Sequence, residues 1–305
     1  MGYIGYGEAI GLACAFIWAL NGLIMRHYVA AFPPALLNAL RCGAAGLLAW
    51  LLMPFQPPLA TFLQVTSFEW VLLVTSVLLA VGVGDTLYMV ALREIGVARA
   101  LAISGTFPLP TLFFEWLLLD KGFAQTFVIG CVLVGAGVAL LSSREQAGRP
   151  RDVSSPAQAV PSRRRLSATL GLATALGASV SWGLGTLMTP RAIAQLPAVP
   201  ANSVRLPLGA AFLLLALRAT GYSPRGRVGP RPFLILALSG IIGMGVGSFL
   251  FLEALREIGA AKTTTLSSAS PVFGLFLAMA VFGEKADLRT VAGILLCIVG
   301  IWLVL

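Results

Sequence analysis

Three ionisable residues stand deep inside apolar stretches of the chain: Arg41, Asp85 and Arg205. Asp85 follows Gly82-Val-Gly84, and a single carboxylate in apolar surroundings is suited to taking up a proton or holding a substrate amine. Its structural alternative is an ion pair with Arg41, with Glu115 as a competing partner. The arginines close matching strings, Asn38-Ala-Leu-Arg41 and Asn202-Ser-Val-Arg205, about eight residues into their runs, or roughly 12 Å along a helix. A guanidinium at that depth is costly, so each should be paired or face a cavity. As a pair they suit an anionic substrate group; as scaffold they would bind helix-end carbonyls or a carboxylate.

Trp18, Asn21 and Tyr88, with Phe107, Trp182 and Thr186, complete a candidate cavity lining around these charges. Aromatic faces stack on a planar substrate, although aromatics in apolar helices serve equally as packing or interfacial anchors. The string Thr263-Thr-Thr-Leu-Ser-Ser-Ala-Ser270 is polar for its setting. Ser267 and Ser270 could line water there, with Pro271 freeing a backbone carbonyl for a ligand; otherwise the hydroxyls bond back to their own helix. Cys14, Cys42, Cys131 and Cys297 have neither C-x-x-C spacing nor a histidine beside them, and they read as small packing residues.

The elements that must position these residues are apolar helices. With 58% hydrophobic residues, 11% charged residues and a mean hydropathy of +0.91, the chain carries about half the charge of an average soluble domain. Runs long enough to cross the hydrocarbon core fall near 7 to 26, 34 to 53, 70 to 93, 98 to 119, 124 to 142, 167 to 190, 198 to 218, 232 to 256, 261 to 283 and 288 to 305. Their continuity predicts helix, because a lipid-facing strand would alternate polar and apolar residues. The formal charge of +9 is mostly arginine in loops beside these runs, which points to a membrane surface and not to nucleic acid. Met1 to Tyr6 lacks the basic start of a secretory leader, so the first run belongs to the working protein.

The runs are one unit written twice. Ala91-Leu-Arg-Glu-Ile-Gly96 recurs unchanged as Ala254-Leu-Arg-Glu-Ile-Gly259, an offset of 163. Gly82 and Gly84 answer to Gly245 and Gly247, Pro108 to Pro271, Gly130 and Gly137 to Gly293 and Gly300. Nearer the start the offset is 164, where Trp18, Pro33, Asn38 and Arg41 fall on Trp182, Pro197, Asn202 and Arg205. Residues 1–142 and 167–305 therefore form two five-helix repeats, and 143–166, rich in Pro, Ser, Gln and Arg, is the linker. An odd number of crossings turns the second copy upside down, an arrangement recurrent in secondary transporters. The expected fold is an all-α integral membrane protein of ten transmembrane helices in two inverted repeats. Arginine and lysine in the loops divide fifteen to four between the faces, which on the positive-inside rule places both termini outside the cytoplasm.

At these residues the chain resembles the drug/metabolite transporter superfamily, in its ten-span EamA-type branch. The resemblance covers nearly the whole length. It rests on the early tryptophan of each half, Trp18 and Trp182, on Asn38-x-x-Arg41 and Asn202-x-x-Arg205, on the repeated hexapeptide, on Pro108 and Pro271, and on Asp120 and Gly283-Glu284. The first half departs with Asp120-Lys121 where the family shows Gly-Glu. The resemblance implies helices around a central cavity, alternating access for metabolites such as amino acids, sugar nucleotides or drugs, and both termini in the cytoplasm, against the arginine count. Small multidrug members carry a coupling glutamate where this chain has Trp18, so that device is absent and Asp85 is the candidate for coupling.

Other classes fit less well. Gly82-Val-Gly84-Asp85 matches the G-x-G-D string of intramembrane aspartyl proteases, which need a second aspartate sharing a proton; Asp120, Asp152 and Asp287 lie at a run end or in loops. The sole histidine, His27, has no nucleophile spacing, and neither H-E-x-x-H nor G-x-S-x-G occurs. No catalytic residue, cofactor or metal is expected. The expected partners are a small-molecule substrate and the lipid bilayer, with a proton or counter-substrate for coupling and no nucleic acid. Exchange of phosphorylated or nucleotide-linked anions is the alternative transport reading. No N-x-S/T sequon occurs and Leu305 ends the last apolar run, which points to a bacterial inner membrane.

Overall fold

The computed structural model describes residues 5–25, 28, 32–57, 59–144, 168–222, 228–282 and 288–304. The expected linker, His27, Glu284 and several of the counted loop arginines lie outside the described residues. Those described form helices and turns with no strand among them: α1 (Tyr6–Met25), α2 (Pro34–Leu52), α3 (Ser67–Val77), α4 (Asp85–Ser104), α5 (Pro108–Leu119), α6 (Gln125–Arg144), α7 (Ala168–Ala192), α8 (Ala198–Ala219), α9 (Pro230–Gly240), α10 (Gly247–Ser267), α11 (Ser270–Phe282) and α12 (Leu288–Val304).

Local sequence explains where these helices start and break. Pro34, Pro108 and Pro230 open theirs, where a missing N–H costs nothing. Thr66 and Glu69 form a capping box for α3, with Thr66 Oγ1 accepting from the Glu69 amide at 3.2 Å and Glu69 Oε2 from the Thr66 amide at 3.0 Å. Gly259, the last residue of the second hexapeptide, breaks α10 at φ 75° and ψ 176°, backbone that only glycine adopts without strain. Among the described residues, five helical runs are long and apolar enough to cross a membrane by length and composition: Pro34–Phe55, Ser67–Ile95, Thr169–Ala192, Ala198–Ala219 and Pro230–Ser267. The stretch expected at 98 to 119 is interrupted before Pro108, and Pro108–Leu119, Gln125–Leu140 and Val291–Val304 are shorter apolar helices.

Two interruptions were not expected. Between α3 and α4 the chain makes a π turn, Leu78–Gly84, and between α9 and α10 another, Ile241–Val246. They fall at the same place in the two repeats. In each, an amide reaches back five residues, Asp85 to the Ala80 carbonyl and Gly247 to the Ile242 carbonyl.

The repeats pack through contacts that obey a pseudo-twofold relation. Helices α6 and α12 cross at glycine: a Cβ on Gly130 would lie 2.7 Å from the Gly300 carbonyl oxygen, and one on Gly137 would lie 2.7 Å from that of Gly293. Helix α1 packs on α10 and α7 on α4. There Ile258 and Ile95 of the two hexapeptides close on Gly7 and Gly171 of the opposite repeat, where a Cβ would meet their Cγ2 atoms at 2.6 and 2.4 Å. The hexapeptide arginines face their own repeat, Arg256 donating to the Leu196 carbonyl at 3.0 Å and Arg93 to that of Phe32. One six-residue string thus anchors the loop before its own second helix and clamps the first helix of the other copy. Two ion pairs add to the inter-repeat seam, Glu8 with Lys262 at 2.8 Å and Glu69 with Arg191 at 3.7 Å.

The α6–α12 crossing yields a paired test. Gly137→Ala places a methyl group 2.6 Å from the Cys297 sulfur, whereas Gly135→Ala, on the same helix, meets nothing within 4 Å. Gly137→Ala should lower stability by about 1–3 kcal/mol, and Gly135→Ala should leave it unchanged or slightly raised. Melting temperatures of the purified full-length protein in detergent decide between the two.

Candidate functional site

The π turns gather the candidate residues into two related clusters. In the first, α7 supplies Trp182, α2 supplies Asn38 and the turn ends at Asp85. Trp182 Nε1 donates to Asp85 Oδ1 at 2.8 Å, and Asn38 Nδ2 donates to the Val81 carbonyl at 2.9 Å and to Asp85 Oδ2 at 3.4 Å. Both carboxylate oxygens are therefore held. Tyr88 and Phe107 flank the indole, with ring centroids 5.2 and 5.8 Å from it. The indole reaches Asp85 because Gly84 has no side chain, since a Cβ there would lie 2.6 Å from the Trp182 ring.

In the second cluster, α1 supplies Trp18 and Asn21 and α2 supplies Arg41. Trp18 Nε1 donates to the Gly243 carbonyl at 3.1 Å and sits over Gly247, with Phe251 at 5.2 Å. With its amide oriented so that both ends are satisfied, Asn21 accepts from Arg41 Nη2 at 2.8 Å and donates to the Ser239 carbonyl at 2.9 Å. The amide fits because Gly243 lacks a Cβ, which would lie 2.5 Å from the Asn21 Cγ. Arg41 and Asp85 attract one another across the two clusters, yet among the described residues neither forms an ion pair. Arg41 is thus hydrogen-bonded to an amide. The competing carboxylate, Glu115, is taken by Lys121 at 3.0 Å.

The two arginines are not equivalent. Both are buried, and each has a buried Nε without a hydrogen-bond partner. Arg41 has Asn21 and a nearby carboxylate; Arg205 has neither. Its neighbour Asn202 accepts from Ser248 Oγ at 3.1 Å, the counterpart of the Asn38–Asp85 contact. Thr186 is buried on α7 a turn beyond Trp182. In the polar string most hydroxyls return to their own helix: Ser267 to the Thr263 carbonyl at 2.8 Å, Thr264 and Thr265 to that of Ala261 at 2.9 and 2.8 Å, Ser268 to that of Thr265 at 2.8 Å. Ser270 opens α11, half-buried, outside both clusters.

Sequence reasoning missed Ser239 and the Gly243 carbonyl. Ser239 has a repeat partner in Ser76, a polar match inside apolar runs that would have marked it. The string Gly243-x-x-x-Gly247 is a close-packing surface, and its first carbonyl also accepts from Trp18. All four cysteines are buried and free. Among the described residues no group of three His, Cys, Asp or Glu side chains could hold a metal. Two open grooves lie elsewhere: one of about 470 Å³ lined by Leu109, Phe113, Trp116 and Phe123, and one of about 300 Å³ along Trp70 to Thr75.

Removing Asn21 tests the second cluster. Asn21→Ala strips Arg41 of its hydrogen-bond acceptor and should cost about 1–3 kcal/mol of stability. In an Arg41→Gln background the same change should cost less, a coupling of about 0.5 kcal/mol or more in a double-mutant cycle of thermal unfolding; strict additivity would refute the contact.

Known proteins place these clusters in context. The model of the EamA-like transporter family matches residues 5–143 and again residues 169–305. A Bacillus subtilis protein described as uncharacterized transporter YvbV is 25% identical over 94% of this chain and 88% of its own length. An uncharacterized transporter of Archaeoglobus fulgidus is 26% identical over 97% of this chain and 96% of its own length. One crystal structure superposes with a TM-score of 0.73 over 97% of this chain and 95% of that one; at 19% identity it speaks for the fold alone. With both halves matched, the chain belongs to the EamA-like transporter family of the drug/metabolite transporter superfamily and is a multi-pass membrane transporter.

Proposed function

We propose that this transporter is a secondary carrier of ten membrane-crossing helices, built as inverted repeats over 1–142 and 167–305, that exports amino acids or related metabolites by alternating access. The observation that carries the reading is Asp85: one carboxylate at the seam of the repeats, fixed by Trp182 and Asn38 and walled by Tyr88 and Phe107. A carboxylate beside aromatic faces is the chemistry that recognises an ammonium group, and a carboxylate at this depth is suited to exchanging a proton for it. The second repeat has Ser248 at this position, so the acid is a departure from symmetry that packing does not require. The bacterial and archaeal relatives favour a prokaryotic inner membrane.

Exchange of phosphorylated or nucleotide-linked anions is the second reading, and the buried Arg205, which has no carboxylate partner among the described residues, is what favours it. A phosphate dianion would call on both arginines, and Arg41 is already bound to Asn21 with Asp85 close by. The amino-acid reading therefore stands first.

Purified protein screened by thermal shift against amino acids, nucleotide sugars and cationic compounds should be stabilised by amino acids. In proteoliposomes the best-stabilising amino acid should be taken up under an imposed pH gradient. Asp85→Asn removes a charge-assisted interaction worth about 1.5–3 kcal/mol, so gradient-driven uptake should fall by about tenfold or more. Uptake equal to wild type would remove Asp85 from coupling and from substrate binding.

A further inference from the structure

The two repeats place an arginine at the same depth, and only one of them is provided for. Arg41 donates to Asn21 and lies near Asp85. At the corresponding positions around Arg205 the chain has Gly185 in place of Asn21 and Ser248 in place of Asp85. Both partners are deleted together. Arg205 as a residue is 7% exposed, its Nε is buried with no hydrogen-bond partner, and among the described residues no carboxylate pairs with it.

The surroundings are built accordingly. One turn before Arg205, Asn202 spends its oxygen on Ser248 Oγ at 3.1 Å, which leaves its Nδ2 as the donor end of the amide. One turn after, Gly209 faces Val77 and Val81 of the first repeat, the nearest atoms 3.5 Å from where its Cβ would stand. Arg205 therefore lies on the face of α8 between α10 and the first π turn, at the seam of the repeats. The matching place in the other half is shut: a Cβ on Gly240 would lie 2.4 Å from the Arg41 carbonyl oxygen, so α9 closes on α2. Val77 stands where Gly240 does, and its side chain keeps α3 from closing on α8 as tightly.

A buried charge without a counter-charge is among the most expensive features a helix bundle can hold. It is tolerated where an anion arrives to complete it. We propose that Arg205, with the Nδ2 of Asn202 beside it, is the binding site for a carboxylate of the transported metabolite. This rests on the transporter reading above and adds to it the group that is bound. A monoanion fits and a phosphate dianion does not, because no second cation adjoins Arg205 among the described residues and Arg41 is already hydrogen-bonded to Asn21. The guanidinium supplies parallel N–H donors to a planar carboxylate, while Asp85, on the first π turn, is left for a cationic group or a proton.

The test uses full-length protein in detergent and a panel of L-amino acids, 2-oxo acids, the C-terminal amides of the amino acids, and sugar phosphates. Wild type should prefer free acids over their amides by about tenfold or more in apparent affinity. Arg205→Gln should bind acid and amide alike, and Arg205→Lys should recover part of the preference. A ligand-free readout stands beside it: Arg205→Met, which removes an uncompensated charge, should keep or raise the melting temperature, whereas Arg41→Met should lower it. The proposal is overturned if Arg205→Gln keeps the wild-type preference, if Arg205→Met falls as Arg41→Met does, if only sugar phosphates depend on Arg205, or if no free carboxylate stabilises wild type. Should amino acids fail while 2-oxo acids bind through Arg205, the amino-acid reading falls and the carboxylate site stands.

Discussion

Each repeat bends its third apolar stretch into a π turn, and an indole from the other repeat seats on a glycine at the C-terminal edge of that turn, Gly84 as its last residue and Gly247 as the first residue of α10. This reciprocal contact, Trp18 over Gly247 and Trp182 over Gly84, organises the rest of the bundle. A π turn shifts the register of the helix by one residue and puts a carbonyl where it can accept a bond from outside. In an apolar bundle such a carbonyl must find a donor. Asn38 meets Val81 and Trp18 meets Gly243. The tryptophan at the start of each half and the Asn-x-x-Arg string on its second helix are therefore parts of one device that satisfies two interrupted helices. Phe251 and Tyr88 hold the two indoles at the same centroid distance of 5.2 Å, so the clasp is symmetric in its apolar part.

Its polar part is not symmetric, and the differences compensate one another sterically. Where Asn21 projects from α1, Gly243 makes room; where Gly185 leaves a gap on α7, Ala80 fills it, with the Ala80 Cβ 2.9 Å from where a Gly185 Cβ would be. The pair has exchanged which side carries the atoms. Trp182 donates to a side-chain carboxylate while Trp18 donates to a backbone carbonyl. Asp85 thus occupies the role of an acceptor that the other half supplies from its main chain, which is why the acid can be accommodated without rebuilding the fold.

Much of this was written plainly in the sequence. Apolar runs marked the helices because lipid and bundle interior exclude charge alike, and the offsets of 163 and 164 paired residues such as Trp18 with Trp182 that the structure puts in matching contacts. Asp85, Trp182, Tyr88 and Phe107 do meet. The π turns were not legible, since Leu78–Gly84 and Ile241–Val246 differ from α-helix by hydrogen-bond register and not by composition. Ser267 misled because hydroxyl content says nothing about direction: its Oγ has turned back onto its own helix. The hexapeptide was legible as a repeat and opaque as a contact, because its arginine bonds within one copy and its isoleucine packs against the other.

Two inverted copies with identical contacts would have two arrangements of equal energy, related by the pseudo-twofold axis, with no preference for either. Substitutions confined to one copy are what break the tie. Gly240 permits the close crossing of α9 on α2, and its counterpart Val77 forbids the equivalent crossing of α3 on α8 by the volume of an isopropyl group. Asn21 then bonds both Arg41 and Ser239 across the tight crossing, while Gly185 offers nothing across the wider one. The same few positions therefore favour one arrangement and leave Arg205 uncompensated in it. A solute anion at Arg205, as proposed, would supply what the wider side lacks, and only a ligand with such a differential contact could shift a balance of this kind.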